Sequence, residues 1–300
     1  MNVLRTFDPW RNPLCTCPDK YSLSPYTGCD IRCLYCYITA YIPRGFRCRA
    51  KGRFIERLLT DLRRAERALP ISIANSSDPY PKIEERLRLT EATLRVLLSG
   101  SFKVLLVTKS DLVLRDLNLI RRGRCSVSMT ITTLDPAIAK RLEPGAPSPE
   151  RRLRAIKELT RSGVPCSVRI DPIIPQINDG GIGNLVKAVA DAGARHVVSS
   201  TFKAKPDSLT RIVRAFPELS RNLISLYRER GELKPGRAWY LPKDMRIQIL
   251  REAKEAAADS GMTHATCREA LGSLTTGRTC DGSHLIPGRP QLCRANSTGN

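Results

Sequence analysis

The sequence predicts an α/β protein, an open, partial barrel of six β/α units followed by a C-terminal, Cys-containing extension. Three observations predict it. From about residue 70, short Val- and Ile-rich runs alternate with longer amphipathic ones. Most of the short runs are too apolar for strands with one wet face, which suits a parallel sheet covered on both sides. Two of the amphipathic runs end in helix stops, "SGVP" and "DAGA".

The strands are "PISIAN" (70–75), "KVLLVT" (103–108), "CSVSMTI" (125–131), "CSVRID" (166–171) and "RHVVSS" (195–200). "YSLSPY" (21–26) supplies another ahead of them. Helical patterns occupy 54–68, 84–98, 111–121, 149–162 and 181–192. Regular alternation of this kind implies right-handed βαβ crossovers. The final third differs. Helical patterns at 208–215, 218–230 and 243–259 flank "LKPGRAWYLPKDMR", and beyond Gly261 the chain turns rich in Gly, Thr and Cys. The economical division is an N-terminal segment (1–20), a barrel (21–203) and a helical, Cys-containing extension (204–300).

With 300 residues, 41% of them hydrophobic, the chain can bury a full core. No uncharged apolar run reaches about 18 residues, so no membrane span is expected. "MNVLRTFDPWRNP" lacks an apolar signal core, which points to the cytoplasm. Eleven cysteines, an odd and unevenly spaced set, then favour metal ligation and buried thiols over a disulfide framework. The net charge of +21 suits a polyanionic partner such as a nucleic acid, against the plainer reading of solvated arginine-bearing helix faces. Arg44, Arg47, Arg49, Lys51 and Arg53 follow one another without an intervening acid.

The chemistry begins at "CDIRCLYCY", which sets Cys29, Cys33 and Cys36 at x3 and x2 spacing. One tight loop can wrap three such thiolates around a compact metal centre. A structural zinc wants a fourth ligand, and Cys48 in "IPRGFRCRA" comes with no second paired-ligand turn. A cubane [4Fe–4S] cluster accommodates three, leaving one iron open to an outside ligand. An open metal position is a reactive one. A zinc knuckle or unrelated buried thiols is the structural alternative.

On these residues the chain resembles the radical S-adenosylmethionine (SAM) superfamily, whose signature is Cys-x3-Cys-x2-Cys with an aromatic, here Tyr35, before the last cysteine. The resemblance implies a partial (β/α)6 TIM-type barrel with the cluster loop after its first strand, where barrel chemistry sits. It implies a [4Fe–4S] cluster on Cys29, Cys33 and Cys36, with SAM on the open iron. One electron, from a reducing partner such as ferredoxin or flavodoxin, then cleaves SAM to methionine and a 5′-deoxyadenosyl radical that abstracts hydrogen from a substrate. "ANSSDPYPKIEERLRLT" (74–90) is similar to the segment after the second strand in the spore photoproduct lyase-like branch. By that resemblance Ser76, Ser77 and Asp78 lie beside the SAM methionyl group, Lys109 in "VTKS" and Arg169 in "SVRIDPIIP" meet its carboxylate, and Ser128 makes a polar contact. "CDGSHL" resembles the C-terminal end of archaeal members. The chain departs from the branch at Asn75, where photoproduct lyases carry the cysteine that returns hydrogen to the product. Cys125 and Cys166 open strands, at the wrong end of the barrel to replace it, and read as small buried hydrophobes.

A second cysteine group spaces Cys267, Cys280 and Cys293 thirteen residues apart, and Cys15 and Cys17 could fold back to join it. Cys17, Cys267, Cys280 and Cys293 are the first candidates for an auxiliary metal, a second [4Fe–4S] cluster or a zinc. Scattered thiols, with Cys267 or Cys280 as a hydrogen donor, stay open beside it. His196 reads as structural, and His284 as a structural residue before a ligand or substrate contact. Tyr240 is a candidate for the substrate border, and Trp239 for packing. Three functions follow: a radical SAM enzyme acting on nucleic acid in repair or base modification, the same chemistry on a peptide or protein side chain, or a non-catalytic, metal-stabilised nucleic-acid-binding protein.

Overall fold

The computed structural model describes residues 2–7, 13–234 and 236–288. Along this chain, β1 (Arg5–Thr6) and β2 (Tyr21–Leu23) precede a small ribbon of β3 (Tyr26–Thr27) with β4 (Arg49–Ala50). The β/α units follow as α1 (Phe54–Leu62), β5 (Ile71–Ile73), α2 (Glu84–Leu87), α3 (Leu89–Ser99), β6 (Val104–Thr108) and α4 (Leu117–Ile120). Next come β7 (Cys125–Thr130), α5 (Pro136–Leu142), α6 (Pro149–Arg161), β8 (Cys166–Ile173), α7 (Ile182–Asp191) and β9 (His196–Thr201). The last third holds α8 (Pro206–Ala215), α9 (Ser220–Ile224), the hairpin β10 (Glu232–Lys234) and β11 (Ala238–Tyr240), α10 (Lys243–Asp259) and β12 (Thr263–Thr266).

The main sheet runs in the order β1-β2-β5-β6-β7-β8-β9-β12. Pairing is parallel from β2 to β12, with β1 antiparallel on the edge. Every residue of β5, β7 and β9 is buried, as expected of strands covered by helices on one side and barrel contents on the other. The sheet is open: among the described residues no ladder joins β12 to β1 or β2. At that seam the segment before β2 meets the segment after β12, where buried Lys20 forms an ion pair with buried Asp281. Among the described residues no helix is long and apolar enough to cross a membrane.

Local chemistry explains most element ends. Asp135 caps α5 by accepting from the N–H groups of Ala137 (2.7 Å) and Ile138 (2.9 Å), with Pro136 at the first helical position. Ser148 and Pro149 do the same for α6. The stops at Gly163 (φ +82°) and Gly193 (φ +94°) sit where the sequence places them. A Cβ on Gly193 would also stand 2.6 Å from Thr160 Oγ1.

Three expected helices are corrected. The pattern over 84–98 breaks at Arg88 (φ +47°), because the buried Glu84 carboxylate turns back to accept the N–H of Thr90 at 2.9 Å, capping α3. The pattern over 111–121 begins as a 3₁₀ segment, Asp111–Asp116, before α4. The pattern over 218–230 divides into a 3₁₀ turn, α9 and a π turn at Ser225–Glu229 that buries Tyr227. Among the described residues, β12, the β10–β11 hairpin and α5 are additions to the sequence reading, and β12 extends the parallel sheet beyond its sixth strand.

Candidate active site

Tyr26 pairs with Ala50 and Thr27 with Arg49, so the β3–β4 ribbon closes the base of a loop over residues 28–48. Gly28 opens the loop at φ +79°, and a Cβ there would stand 2.3 Å from the Arg47 carbonyl oxygen. Inside it, the Cys29 N–H donates to Gly45 O (2.9 Å) and the Cys36 N–H to Cys33 O (3.1 Å). The rest of the barrel then grips the loop. From the α5–α6 region, Leu142 O accepts from the Leu34 N–H and the Gly145 N–H donates to Ile31 O, both at 2.9 Å. From α8, Arg211 Nε donates to Leu34 O (2.9 Å) and Nη2 to Cys36 O. A C-terminal helix therefore holds an N-terminal loop, a partnership absent from any local spacing.

Cys29, Cys33 and Cys36 all border one cavity of about 630 Å³. Cys29 and Cys33 are buried and Cys36 half-buried. Burial pushes the Cys29 thiol up to about 12 and raises Cys33 and Cys36 as well, while Lys109 pulls Cys33 and Cys36 the other way. Three thiols around one space, with a cation beside them to balance thiolate charge, fit a cluster held by three cysteines. Among the described residues no group of His, Cys, Asp and Glu is drawn together as around a single metal ion.

Behind the loop lies a buried charge network that the sequence reading missed. Glu143, at the end of α5, accepts from Tyr35, from Thr132 Oγ1 at 3.1 Å and pairs with Arg152 at 2.6 Å. Lys109 Nζ is 4.0 Å from the same carboxylate and 5.6 Å above the Tyr35 ring. Burial opposes ionisation of Glu143, but Arg152 and Lys109 outweigh it and hold the carboxyl below its usual range. For Lys109 the penalty of burial is likewise outweighed, by Cys33 and Glu143, and its pKa is raised. The aromatic of the cysteine motif is thus the link between the loop and this network.

The expected SAM contacts are mostly assembled at the same cavity. Ser76, Ser77, Asp78, Lys109 and Arg169 border it. Asp78 is committed to the fold: its carboxylate accepts from Thr108 Oγ1 (2.8 Å), the Tyr80 N–H (2.9 Å) and the Lys109 N–H (2.6 Å). Ser77 Oγ meets Ser24 Oγ at 3.0 Å, and exposed Ser76 hydrogen-bonds Tyr41. Arg169 pairs with Asp171 at 2.7 Å and hydrogen-bonds Cys267. Ser128 is the exception. It is fully buried with its hydroxyl unpartnered and does not border the cavity; Thr130, two residues nearer the C-terminal strand end, does. Alternation puts both on one face, and only the outer one reaches the rim.

Asn75 also borders the cavity, its Oδ1 accepting from Ser72 Oγ (2.8 Å) and its Nδ2 donating to Ser22 Oγ (2.9 Å). Of the second cysteine group, Cys17 and Cys280 come into contact, with Cys15 beside them. Cys267 borders the cavity next to Arg169, and Cys293 lies outside the described residues. A second cluster or zinc gains no support from this arrangement. His196 is buried, its Nδ1 2.8 Å from Thr263 Oγ1, and meets the His284 ring edge-on at 5.0 Å. Neither histidine borders the cavity. Tyr240 is buried below Lys203 rather than at a substrate border, because β11 folds it inward. Half-buried Trp239 packs under Arg228.

Comparison with known proteins agrees with this geometry. Residues 23–189 match the radical SAM superfamily. An uncharacterised protein of Mycobacterium tuberculosis is 30% identical over 257 residues, covering 78% of this chain and 72% of that one. The radical SAM Nalpha-GlyT isomerase of Pseudomonas phage M6 is 23% identical over 257 residues, 82% of this chain and 53% of the isomerase. A spore photoproduct lyase mutant, solved with bound AdoMet and dinucleoside spore photoproduct, shares the fold with a TM-score of 0.64 at 18% identity, over 81% of this chain and 75% of that one. The family implies a [4Fe–4S] cluster and SAM, and the match decides for an enzyme over a non-catalytic binding protein. The chain belongs to the radical SAM superfamily.

Proposed function

We propose that this enzyme directs its radical at a base or nucleoside within a nucleic acid. The observation that carries the reading is a groove on the outside of the cysteine loop, lined by Arg32, Arg44 and Arg47 together with Tyr41 and Phe46. Among the described residues those three arginines pair with no carboxylate, so their charge is available to phosphates. The exposed Tyr41 ring beside them offers a stacking surface for an unpaired base. The charge of +21 over the whole chain, and a structural neighbour solved with a dinucleoside photoproduct, support the same reading.

With cluster and SAM bound, the site supplies a 5′-deoxyadenosyl radical. In this reading Cys29, Cys33 and Cys36 hold the cluster, Lys109 and Arg169 face the SAM carboxylate, and Ser76, Ser77 and Thr130 border its methionyl end. A target base inside a duplex would have to leave the stack to reach the cavity. The electron would come from a low-potential carrier of the ferredoxin or flavodoxin type.

The test is binding of a fluorescent single-stranded oligonucleotide across a salt series. On a single strand, three phosphate contacts predict a loss of affinity of about 20-fold between about 50 and 200 mM salt. The combined Arg32→Ala, Arg44→Ala and Arg47→Ala variant should lose most of that dependence. Salt-insensitive binding, or an unaltered slope in the variant, would sink the nucleic-acid reading and favour a peptide or protein side chain.

A further inference from the structure

The cavity that begins at the cysteine loop has a second set of thiols along its wall. Cys15 and Cys17 arrive on the segment before β2, and Cys280 on the segment after β12. Cys280 Sγ lies 3.3 Å from Cys17 Sγ, and the Cys15 thiol also hydrogen-bonds Cys17. Lys20, itself 2% exposed, stands next to them in its ion pair with Asp281.

This arrangement sorts the protons. Hydrogen bonds from Cys15 and Cys280, with the charge of Lys20, hold the Cys17 thiol down to about 3 despite burial. Cys280 moves the other way, raised by its hydrogen bond to Cys17 and by burial. The geometry is a half-buried Cys17 sulfur that accepts from the Cys280 and Cys15 thiols and opens on the same space as Cys29, Cys33 and Cys36. Among the described residues no group of His, Cys, Asp and Glu is drawn together as around a metal ion, and the next thiol, Cys267, is engaged with Arg169. At Asn75 the cavity offers an amide, whose N–H groups are no source of hydrogen atoms.

We propose that Cys280 and Cys17, assisted by Cys15, form a redox-active thiol site that donates a hydrogen atom to a carbon radical held in this cavity. The inference rests on the radical chemistry of the family and is independent of which substrate is used. The radical carbon takes the hydrogen of the Cys280 S–H bond, forming C–H and leaving a thiyl radical. The Cys17 thiolate then bonds to the thiyl sulfur, giving an S–S bond with one surplus electron. That electron passes to a one-electron acceptor of the iron–sulfur or flavin class, leaving a neutral disulfide. An external dithiol reopens it by exchange and restores the thiol and thiolate, so this dithiol is the net source of two electrons and of the transferred hydrogen.

The experiment uses SAM alone as the probe. Reduced, cluster-loaded protein reacts anaerobically in deuterated water, where thiol hydrogens exchange. Most of the 5′-deoxyadenosine should carry one deuterium, and alkylation with peptide mass spectrometry should find a Cys17–Cys280 disulfide growing in step with it. Cys280→Ser should lower the deuterated fraction by about tenfold and abolish the disulfide, with iron content and circular dichroism unchanged. A second readout needs no turnover. In cluster-free protein titrated with glutathione redox buffers, the Cys17–Cys280 disulfide should close before any other thiol is oxidised.

Deuterium-free 5′-deoxyadenosine from the wild type, or equal deuteration in Cys280→Ser, overturns the proposal. So does zinc or additional iron that the wild type retains and both Cys17→Ser and Cys280→Ser lose. Absence of all 5′-deoxyadenosine would instead count against the radical reading, and the glutathione titration would then decide the thiol pair by itself.

Discussion

The two thiol groups of this protein are built by opposite means. Cys29, Cys33 and Cys36 lie within eight residues, on a loop whose base is a two-rung ribbon and whose first turn only glycine can make. Cys17 and Cys280 are 263 positions apart and meet because the barrel is left open. The first group is a property of a segment, stabilised afterwards by its neighbours. The second exists only in the folded molecule. Spacing announces a site when one turn of chain can enclose the ligand, and says little when two distant segments must converge.

The largest expected effect separates the two groups by chemistry. Cys33→Ala should lower iron content and SAM cleavage more than about 100-fold, because even the indirect partners of a metal ligand can cost that much. Cys280→Ser should keep its iron and its cleavage of SAM. If both variants lost iron alike, the distinction between a cluster loop and a dithiol would collapse.

The next effect concerns how firmly the loop is anchored. Glu143→Gln leaves Arg152 and Lys109 buried without their shared carboxylate, which should cost about 3–5 kcal/mol in denaturant unfolding. A loss confined to iron affinity, with stability kept, would mean the network serves the site alone.

At the other group, acid should act through His196. Burial first, then the neighbouring His284, lowers its pKa from 6.5 to about 4 in the folded protein. Between those values the unfolded chain binds a proton that the folded one refuses. Stability is therefore full above about pH 6.5 and falls by about 3 kcal/mol as pH drops toward 4, with little further change below. Unfolding midpoints measured across that range, wild type against His196→Gln, should converge at the acid end; parallel curves would mean His196 does not titrate there.

The smallest effect is at the contact between α8 and the cysteine loop. Arg211→Ala removes the side chain that donates to Leu34 O and Cys36 O, at a cost of about 1–3 kcal/mol. Faster cluster loss on chelation is the accompanying readout, and an unaltered rate would show that the loop stands without α8.

The fold was largely legible because alternation of apolar strands and amphipathic helices is a local signal, and β5 to β9 lie where their Val and Ile runs place them. "THAT" at β12 was not, since four residues without a Val or Ile become a strand only by pairing with β9. Glu84 shows the same limit: its pattern continues a helix, but its carboxylate has a better use capping the next one. That Cys29, Cys33 and Cys36 share one loop was legible from their spacing, and all three border the cavity. Lys109 and Arg169 were placed by counting to strand ends, while Ser128 missed the rim by one alternation. Glu143, Arg152 and Arg211 carried no signal, because a buried charge looks like a solvated one until its partner is known.

By itself, then, the sequence determined the three-cysteine loop, the parallel sheet behind it and the run of basic residues beside it, all of them consequences of residues near one another in the chain. Tertiary structure alone decided that the loop is held from α5 and α8 and that the barrel stays open. It also brought Cys15, Cys17 and Cys280 together among the described residues, and set Cys267 against Arg169. The reason is physical. Local geometry limits which residues a short loop can bring together, whereas contacts across hundreds of positions depend on every strand packed between them.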